Sequence, residues 1–242
     1  MDTADKQLTA SNDNENTTNS ATNNTLGKAV LLIAILMNLA VTVLAFIGAV
    51  TSFRRNGAGM LQYYTVESNL FGAAACAIMA VLLLRKMISG KEVPAWAAIL
   101  KYMSVCCLSL TFLVVVTILA PMNNGMGGYR ALLTHDDMLY LHLLCPVLAF
   151  VSFLLFDNIP FRTIKMACIS LIPTVCYAAV TTTLNVIRVM VGPYPFLYVY
   201  EQPLWMSFVW FMLIFGGAFA IGAFLARVKQ VPGKSKGLAN LS

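Results

Sequence analysis

The sequence predicts an all-α membrane protein, a polytopic bundle of six transmembrane helices with both termini in the cytoplasm. Of its 242 residues, 59% are hydrophobic and 11% are charged, about half the charged share of a soluble domain. The apolar residues form runs of about 20, the length that a helix needs to cross a bilayer. Lys and Arg are concentrated in alternate loops, which orients the chain in the membrane. The net charge of +6 therefore reflects topology and does not indicate nucleic-acid binding.

The first element in chain order is a polar tail. Residues 1–25 are rich in Asn, Thr, Ser and Asp and contain few aliphatic side chains. Such a segment buries too little apolar surface to offset its ordering entropy, so we predict a disordered tail. It lacks the short apolar core of a signal peptide. A second tail, residues 229–242, is basic.

Between the two tails, residues 26–228 form the predicted transmembrane domain. Backbone groups in hydrocarbon must be hydrogen-bonded within the segment, so each long apolar run must be a helix. The six predicted helices span approximately Leu26–Val50, Tyr63–Leu84, Ala95–Ala120, Met138–Phe156, Ile164–Ile187 and Leu204–Ala226.

The distribution of positive charge gives the orientation. The two tails and the second and fourth loops hold 12 of the 16 Lys and Arg residues, and the other loops hold 4. The positive-inside rule then predicts cytoplasmic N- and C-termini in the cell membrane. We expect Lys86 and Lys101 to extend toward the cytoplasmic interface.

The second helix opens at the outer face with several polar residues. Thr65, Ser68 and Asn69 are spaced i, i+3, i+4 and share one face. Glu67 points elsewhere. A carboxylate in the first turn complements the helix dipole, so Glu67 is interpreted either as a stabilising charge or as a site residue.

His142 is the only ionisable side chain of the fourth apolar run. An ionisable residue within the membrane indicates a functional site, because it is costly to keep there. Pro146, four residues later, predicts a kink that turns His142 into the bundle. A partner for its imidazole must come from another helix or from residues 135–137, which are His-Asp-Asp.

The fifth helix runs outward, and Thr181, Asn185 and Arg188 recur on one face near its end. Arg188 either extends to the interface or binds a carboxylate or phosphate inside the bundle. The loop that follows contains Tyr194 among other aromatic residues, a composition typical of an interfacial belt. Three helices thus place polar residues at a similar depth, which predicts a shared polar cavity beneath the outer leaflet.

Four short motifs stand at matching places in or beside the predicted helices. They are Tyr64-Thr65-Val66-Glu67-Ser68-Asn69, Met126-Gly127-Gly128-Tyr129, Leu141-His142-Leu143-Leu144-Cys145-Pro146 and Pro193-Tyr194-Pro195-Phe196-Leu197. Together they resemble those of a poorly characterised bacterial family of six-span integral membrane proteins. That family is distantly similar to the androgen-induced membrane proteins of animals.

The resemblance implies a membrane-embedded hydrolase of lipid esters with a threonine nucleophile. The positions that match the nucleophile and its base are Thr65 and His142, and neutral imidazole is a suitable base for a hydroxyl. A fatty-acyl ester is the implied substrate. Side chains at the same depth provide contacts to substrate or oxyanion, and Ser68 is also an alternative nucleophile. These contacts are Glu67, Ser68, Asn69, Asn185, Arg188 and Tyr194.

Two other functions fit the same pattern. A transporter or ligand-binding membrane protein could use the same cavity, although no internal repeat of the transporter type is visible. A structural protein could use its polar residues for bonds between helices, worth about 0.6 kcal/mol each. The six cysteines lie in apolar runs without metal-ligand spacing, so we predict no metal and no cofactor.

Overall fold

The computed structural model describes residues 2–123, 125, 127–159 and 163–229, with side chains from residue 26 onward. Within these residues the regular structure is helical, and short 3-10 turns at Gly57–Gln62 and Pro195–Leu197 lie between helices. The helices are α1 (Asp2–Asn56), α2 (Tyr64–Ser89), α3 (Ala95–Met122), α4 (Gly128–Thr134), α5 (Asp136–Phe156), α6 (Thr163–Val186) and α7 (Leu204–Lys229).

Six of these helices are long and apolar enough to cross a membrane, which confirms the predicted all-α fold and is compatible with a multi-span protein. They are α2, α3, α5, α6, α7 and the part of the chain from Leu26 to Gln62. In the structure α1 begins at Asp2, whereas composition predicts a disordered tail over residues 1–25. The side chains before residue 26 lie outside the described part of the chain, so the tail stays a prediction. The basic tail lies outside it as well from residue 230 onward.

Glycine and proline determine where several helices end or bend. α2 ends at Gly90, whose left-handed backbone (φ 70°) lets its N–H bond the carbonyl of Lys86. A side chain would strain that conformation. α6 consists of two α-helical parts, Thr163–Ser170 and Ile172–Val186, and Pro173 lies in the first turn of the second part.

Two helices contain a π-helical turn, and each turn is followed by a proline. The turns are Val115–Leu119 in α3 and Leu139–Leu144 in α5, with Pro121 and Pro146 two residues beyond them. A proline lacks the N–H that would bond the carbonyl four residues earlier, and its ring crowds that carbonyl. The wider turn relieves this conflict. π-turns are frequent at functional sites, and the turn in α5 contains His142.

The core of the bundle is formed by residues of α1, α2, α3, α5 and α7, together with Met166 of α6. Small residues let the helices approach closely. The carbonyl of Gly222 in α7 accepts a hydrogen bond of 2.8 Å from the Tyr102 hydroxyl of α3. A Cβ on Gly222 would lie 2.9 Å from that hydroxyl oxygen, so only glycine fits without rearrangement.

The interface position expected for Lys101 is wrong. Lys101 is completely buried in α3, where its ammonium donates to Asn38 Oδ1 of α1 at 2.6 Å and to Cys76 Sγ of α2 at 2.9 Å. The side chain points to the centre of the bundle, because its position in α3 faces α1 and α2 and not the bilayer. Lys86 forms an ion pair with Glu92 at 2.6 Å.

Candidate active site

Thr65 is the second residue of α2, and this position leaves its hydroxyl free for tertiary contacts. Threonines within helices often donate to the carbonyl four residues earlier. Among the described residues, those that do so are Thr42, Thr51, Thr111, Thr117, Thr134, Thr181 and Thr183. The residue four positions before Thr65 lies in the preceding 3-10 turn. The Thr65 hydroxyl is instead 3.2 Å from Nε2 of His142. Thr65 is buried, with 7% of the residue's surface exposed.

The environment of His142 determines which ring nitrogen carries the hydrogen. Nδ1 lies 2.7 Å from the carbonyl oxygen of Leu132 in α4. A carbonyl can only accept a hydrogen bond, so Nδ1 must be the protonated nitrogen. In the neutral ring Nε2 then has a lone pair, and it accepts the hydroxyl hydrogen of Thr65. His142 is thereby arranged as a base for Thr65.

Tyr194 contacts Thr65 from the loop between α6 and α7. Its hydroxyl accepts the Thr65 N–H at 3.3 Å and lies 3.4 Å from the Thr65 hydroxyl oxygen. The Tyr194 ring stacks on Phe196 at a centroid distance of 5.1 Å and is nearly buried. Burial raises the pKa of Tyr194, and the hydrogen bonds with Thr65 lower it in part. The phenol therefore stays protonated and can donate.

Asn69 connects the first turn of α2 to the π-turn of α5. Its amide nitrogen donates to the carbonyl of Thr65 at 2.7 Å and to the carbonyl of Leu141 at 2.9 Å. Leu141 precedes His142 in the chain, so this single side chain fixes the spacing between the backbone segments of Thr65 and His142. Both amide hydrogens are engaged, which makes Asn69 a positioning residue and not a donor to substrate.

Ser68 shares the buried face predicted for it but does not contact His142. Its hydroxyl lies 3.1 Å from the Thr65 carbonyl and 2.9 Å from the Thr111 hydroxyl of α3. The structure therefore pairs His142 with Thr65 and places Ser68 in a structural contact between α2 and α3.

An ion pair lies beside this cluster, between the end of α1 and the start of α5. Asp137, at the start of α5, is 1% exposed and receives Arg55 from the end of α1, with Nη2 2.8 Å from Oδ1 and 3.0 Å from Oδ2. His135 pairs instead with its neighbour Asp136 at 2.9 Å. Of the two sources expected for the imidazole partner, another helix or residues 135–137, the structure has the first: the backbone carbonyl of Leu132 in α4.

Two cavities meet at this cluster, and Thr65, Leu119 and Tyr194 line both. The first is narrow, with a volume of about 50 Å³, and is walled by apolar and aromatic side chains of α3, α6 and α7. The second is wider, about 170 Å³, and contains His142, Arg55 and Asp137. Thr65 and Tyr194 therefore stand between an apolar and a polar compartment.

Three of the predicted contact residues lie away from the pair. Glu67 is exposed in the first turn of α2 and borders a groove toward α6. Asn185 is buried in α6 but lines neither of the two cavities. Arg188 is exposed, with its guanidinium 4.6 Å above the ring of Tyr200. Because α6 ends at Val186 and Arg188 has a positive φ of 61°, the shared face assumed for Asn185 and Arg188 does not extend to Arg188.

Sequence reasoning missed the parts of the site supplied by the backbone and by the end of α1. The carbonyls of Leu132 and Leu141 have no sequence signature. Arg55 could have been noticed as one of the four positive charges in the first, third and fifth loops, but nothing in the sequence pairs it with Asp137. Among the described residues, no group of three or more His, Cys, Asp or Glu side chains could hold a metal ion.

Comparison of the chain with protein-family models, with curated proteins and with solved structures gave no match.

Proposed function

We propose that this membrane protein is a carboxylic ester hydrolase with Thr65 as nucleophile and His142 as general base. One observation carries the proposal. The Thr65 hydroxyl lies 3.2 Å from His142 Nε2, while Nδ1 of the same ring is held 2.7 Å from a carbonyl that can only accept. A hydroxyl nucleophile requires such an oriented base. The same activity is implied by the resemblance of the sequence to a bacterial six-span family that is distantly similar to the androgen-induced membrane proteins.

In the first half of the reaction the acyl group moves to Thr65. His142 Nε2 takes the hydroxyl proton as Oγ1 bonds to the ester carbonyl carbon. The tetrahedral intermediate collapses when the bond from that carbon to the alcohol oxygen breaks. His142 returns its proton to this oxygen, so a neutral alcohol leaves and Thr65 carries the acyl ester.

In the second half, a water molecule takes the place of the Thr65 hydroxyl as nucleophile. His142 takes a proton from the water as the water oxygen bonds to the acyl carbon. The bond between that carbon and Thr65 Oγ1 then breaks. His142 then returns the proton to Oγ1. The products are the carboxylic acid and free Thr65, so each cycle consumes one ester and one water.

The negative charge on the tetrahedral intermediate needs hydrogen-bond donors. Tyr194 is the best placed, since its hydroxyl lies 3.4 Å from the Thr65 oxygen that joins the intermediate. The N-terminal end of α2 adds a favourable dipole at the same place. Removal of one oxyanion donor in a hydrolase costs roughly 100-fold to 1,000-fold in kcat.

The experiment measures ester hydrolysis by the purified protein in detergent. We expect Thr65→Val and His142→Gln each to lower kcat by at least about 100-fold, because general-base catalysis typically contributes that much. Thr183→Val is the matched control. Thr183 is an exposed threonine whose hydroxyl bonds the carbonyl of Ala179, so native activity is expected.

Covalent labelling tests the nucleophile independently. A lipophilic fluorophosphonate should attach to the peptide that contains Thr65 in the native protein and leave the Thr65→Val variant unlabelled. Undiminished hydrolysis in both Thr65→Val and His142→Gln would overturn the proposal. Transport by the same cavity, the alternative function, would then be tested by solute uptake into proteoliposomes.

A further inference from the structure

The two cavities beside Thr65 differ in what they could bind. The apolar cavity is walled by Val115 of α3, Ala178 of α6 and Phe211 of α7, among others, and offers almost no polar surface. The polar cavity is lined by Ser52, Asn56, the Arg55–Asp137 ion pair and His142. Apolar side chains dominate the surfaces that bind hydrocarbon, while a few placed polar groups orient the rest of a ligand.

The position of His142 indicates which cavity receives the alcohol part of an ester and which receives the acyl part. His142 must protonate the departing alcohol oxygen, and a general acid acts only within hydrogen-bond reach of the atom that it protonates. His142 borders the polar cavity and does not line the apolar one. The alcohol must therefore leave on the polar side, which directs the acyl chain to the other side of Thr65.

We propose that the apolar cavity is the acyl subsite and that it sets the length of the acyl chain. This inference rests on the proposed hydrolase function. A cavity of roughly 150 Å³ can hold a six-carbon ring such as benzene. The apolar cavity, at about 50 Å³, is smaller and therefore admits an acyl chain of fewer than about six carbons. The substrate class is an ester of a short acyl chain with a polar alcohol.

Two substitutions in the cavity wall should move the acyl preference in opposite directions. Ala178→Trp fills the cavity, and Phe211→Ala enlarges it. The matched controls are Ala179→Trp on the same helix as Ala178, and Phe208→Ala on the same helix as Phe211. Both control positions are exposed and neither lines the cavity.

The test measures kcat/KM with p-nitrophenyl esters whose saturated acyl chains increase from two to sixteen carbons. The native protein should show its maximum with acyl chains shorter than about six carbons and a decline beyond that length. Ala178→Trp should lower kcat/KM for the five-carbon ester about tenfold relative to the two-carbon ester, while Phe211→Ala moves the maximum to longer chains. The two controls should keep the native profile.

A second substrate series separates the subsites. With the acyl chain fixed at two carbons, esters of alcohols of increasing size should show the same relative kcat/KM in Ala178→Trp as in the native protein. The inference is overturned if Ala178→Trp changes the alcohol series and leaves the acyl series unaltered. It is also overturned if the native maximum lies at twelve carbons or more.

Failure of the proposed function has a different outcome. If the native protein hydrolyses none of the esters, binding of pentanoate is measured by ligand-observed NMR with the native protein and with Ala178→Trp. If the native protein binds pentanoate and Ala178→Trp does not, the acyl subsite is retained and the hydrolase function is rejected. Hydrolysis with a chain-length profile that neither variant changes would retain the hydrolase and reject the subsite.

Discussion

Arg55 at the end of α1 contacts both carboxylate oxygens of Asp137 at the start of α5, at 2.8 and 3.0 Å. The pair is unequal, since the Arg55 side chain is 42% exposed and that of Asp137 is 2% exposed. The two residues are 82 positions apart in the chain. Their contact joins α1 to the segment that carries His142.

This difference in exposure predicts that removing Arg55 and removing Asp137 lower the free energy of unfolding by different amounts. Arg55→Met leaves a buried carboxylate unpaired and should lower the free energy of unfolding by about 3 kcal/mol. Asp137→Asn leaves a guanidinium that solvent can reach and should cost less than about 1 kcal/mol. Thermal unfolding in detergent would measure both. The double variant should be more stable than Arg55→Met alone, and additive losses would contradict the pairing.

Replacement of Tyr194 by Phe tests the oxyanion donor. The ring stacks on Phe196, so Phe should keep the packing and remove only the hydroxyl. We expect kcat to fall by about 100-fold while KM stays close to native, because the lost hydrogen bond acts on the transition state. A steady-state series on one soluble ester measures both constants. A large rise in KM with native kcat would assign Tyr194 to substrate binding instead.

Gly192 controls the position of Tyr194 indirectly. A Cβ on Gly192 would lie 2.6 Å from the carbonyl oxygen and 2.8 Å from the carbonyl carbon of Leu197. This neighbour is backbone and cannot rotate away, so Gly192→Ala should displace the turn that follows Tyr194. We expect a fall in kcat comparable to that of Tyr194→Phe. Gly216→Ala is the matched control, because nothing lies within 4 Å of its added Cβ. Equal activity of the two alanine variants would refute the link.

Because the ammonium of Lys101 is buried, removal of its partner Asn38 should destabilise the fold more than removal of the lysine itself. Asn38→Leu removes the oxygen that Nζ approaches at 2.6 Å and leaves a charged donor with the weak thiol acceptor of Cys76. Lys101→Met removes that charge altogether. It leaves the neutral oxygen of Asn38 without its donor and takes away one of the two ammonium groups that lower the pKa of Asp157. Lys229 still acts on Asp157, so this loss costs less than an unpaired buried ammonium. Melting temperatures of the two variants should therefore rank Lys101→Met above Asn38→Leu, and the reverse order would contradict this account.

Asp157, just beyond the end of α5, predicts a pH dependence of stability. Burial raises its pKa from 3.8 to about 6, although the positive charges of Lys101 and Lys229 lower the pKa in part. The folded state therefore binds this proton more tightly than the unfolded state. The charged carboxylate lowers the free energy of unfolding at pH 7, by at most about 3 kcal/mol, and this penalty disappears as the pH falls from 6 toward 4.

The measurement compares the native protein with Asp157→Asn across that pH range. The variant should unfold at a higher temperature than the native protein at pH 7, and the difference should vanish near pH 4. Comparison of the two proteins cancels the pH response of all other groups. A constant difference between pH 4 and pH 7 would rule out Asp157 as its source.

The sequence predicted the membrane spans because apolar runs of this length have few alternatives in a bilayer. It also identified Thr65, Ser68 and Asn69 as one face, since helical spacing determines which residues share a side. The same spacing argument failed for Arg188, because it assumed a helix that in fact ends at Val186. Spacing shows which residues are neighbours only while the helix continues.

Features that depend on several helices were beyond the sequence. Lys101 lies near a helix end, and hydropathy alone does not tell which side of α3 faces the bundle. The proline at position 146 indicated a local irregularity, but not that it takes the form of a π-turn whose Leu141 carbonyl accepts a hydrogen bond from Asn69 of α2. The resemblance supplied the pairing of Thr65 with His142, whereas the orienting carbonyl of Leu132 could not be read from any side chain.

Because a backbone carbonyl, that of Leu132, orients His142, we expect consequences both for the effect of mutations and for the rate of turnover. No point substitution at residue 132 deletes a backbone oxygen, so the orientation of the imidazole should withstand replacement of this residue and respond instead to insertions or deletions near α4. A carbonyl is a dipole without net charge, and it stabilises an imidazolium less than an aspartate would. We therefore expect a robust but slow catalyst, with turnover well below that of hydrolases whose histidine is held by a carboxylate.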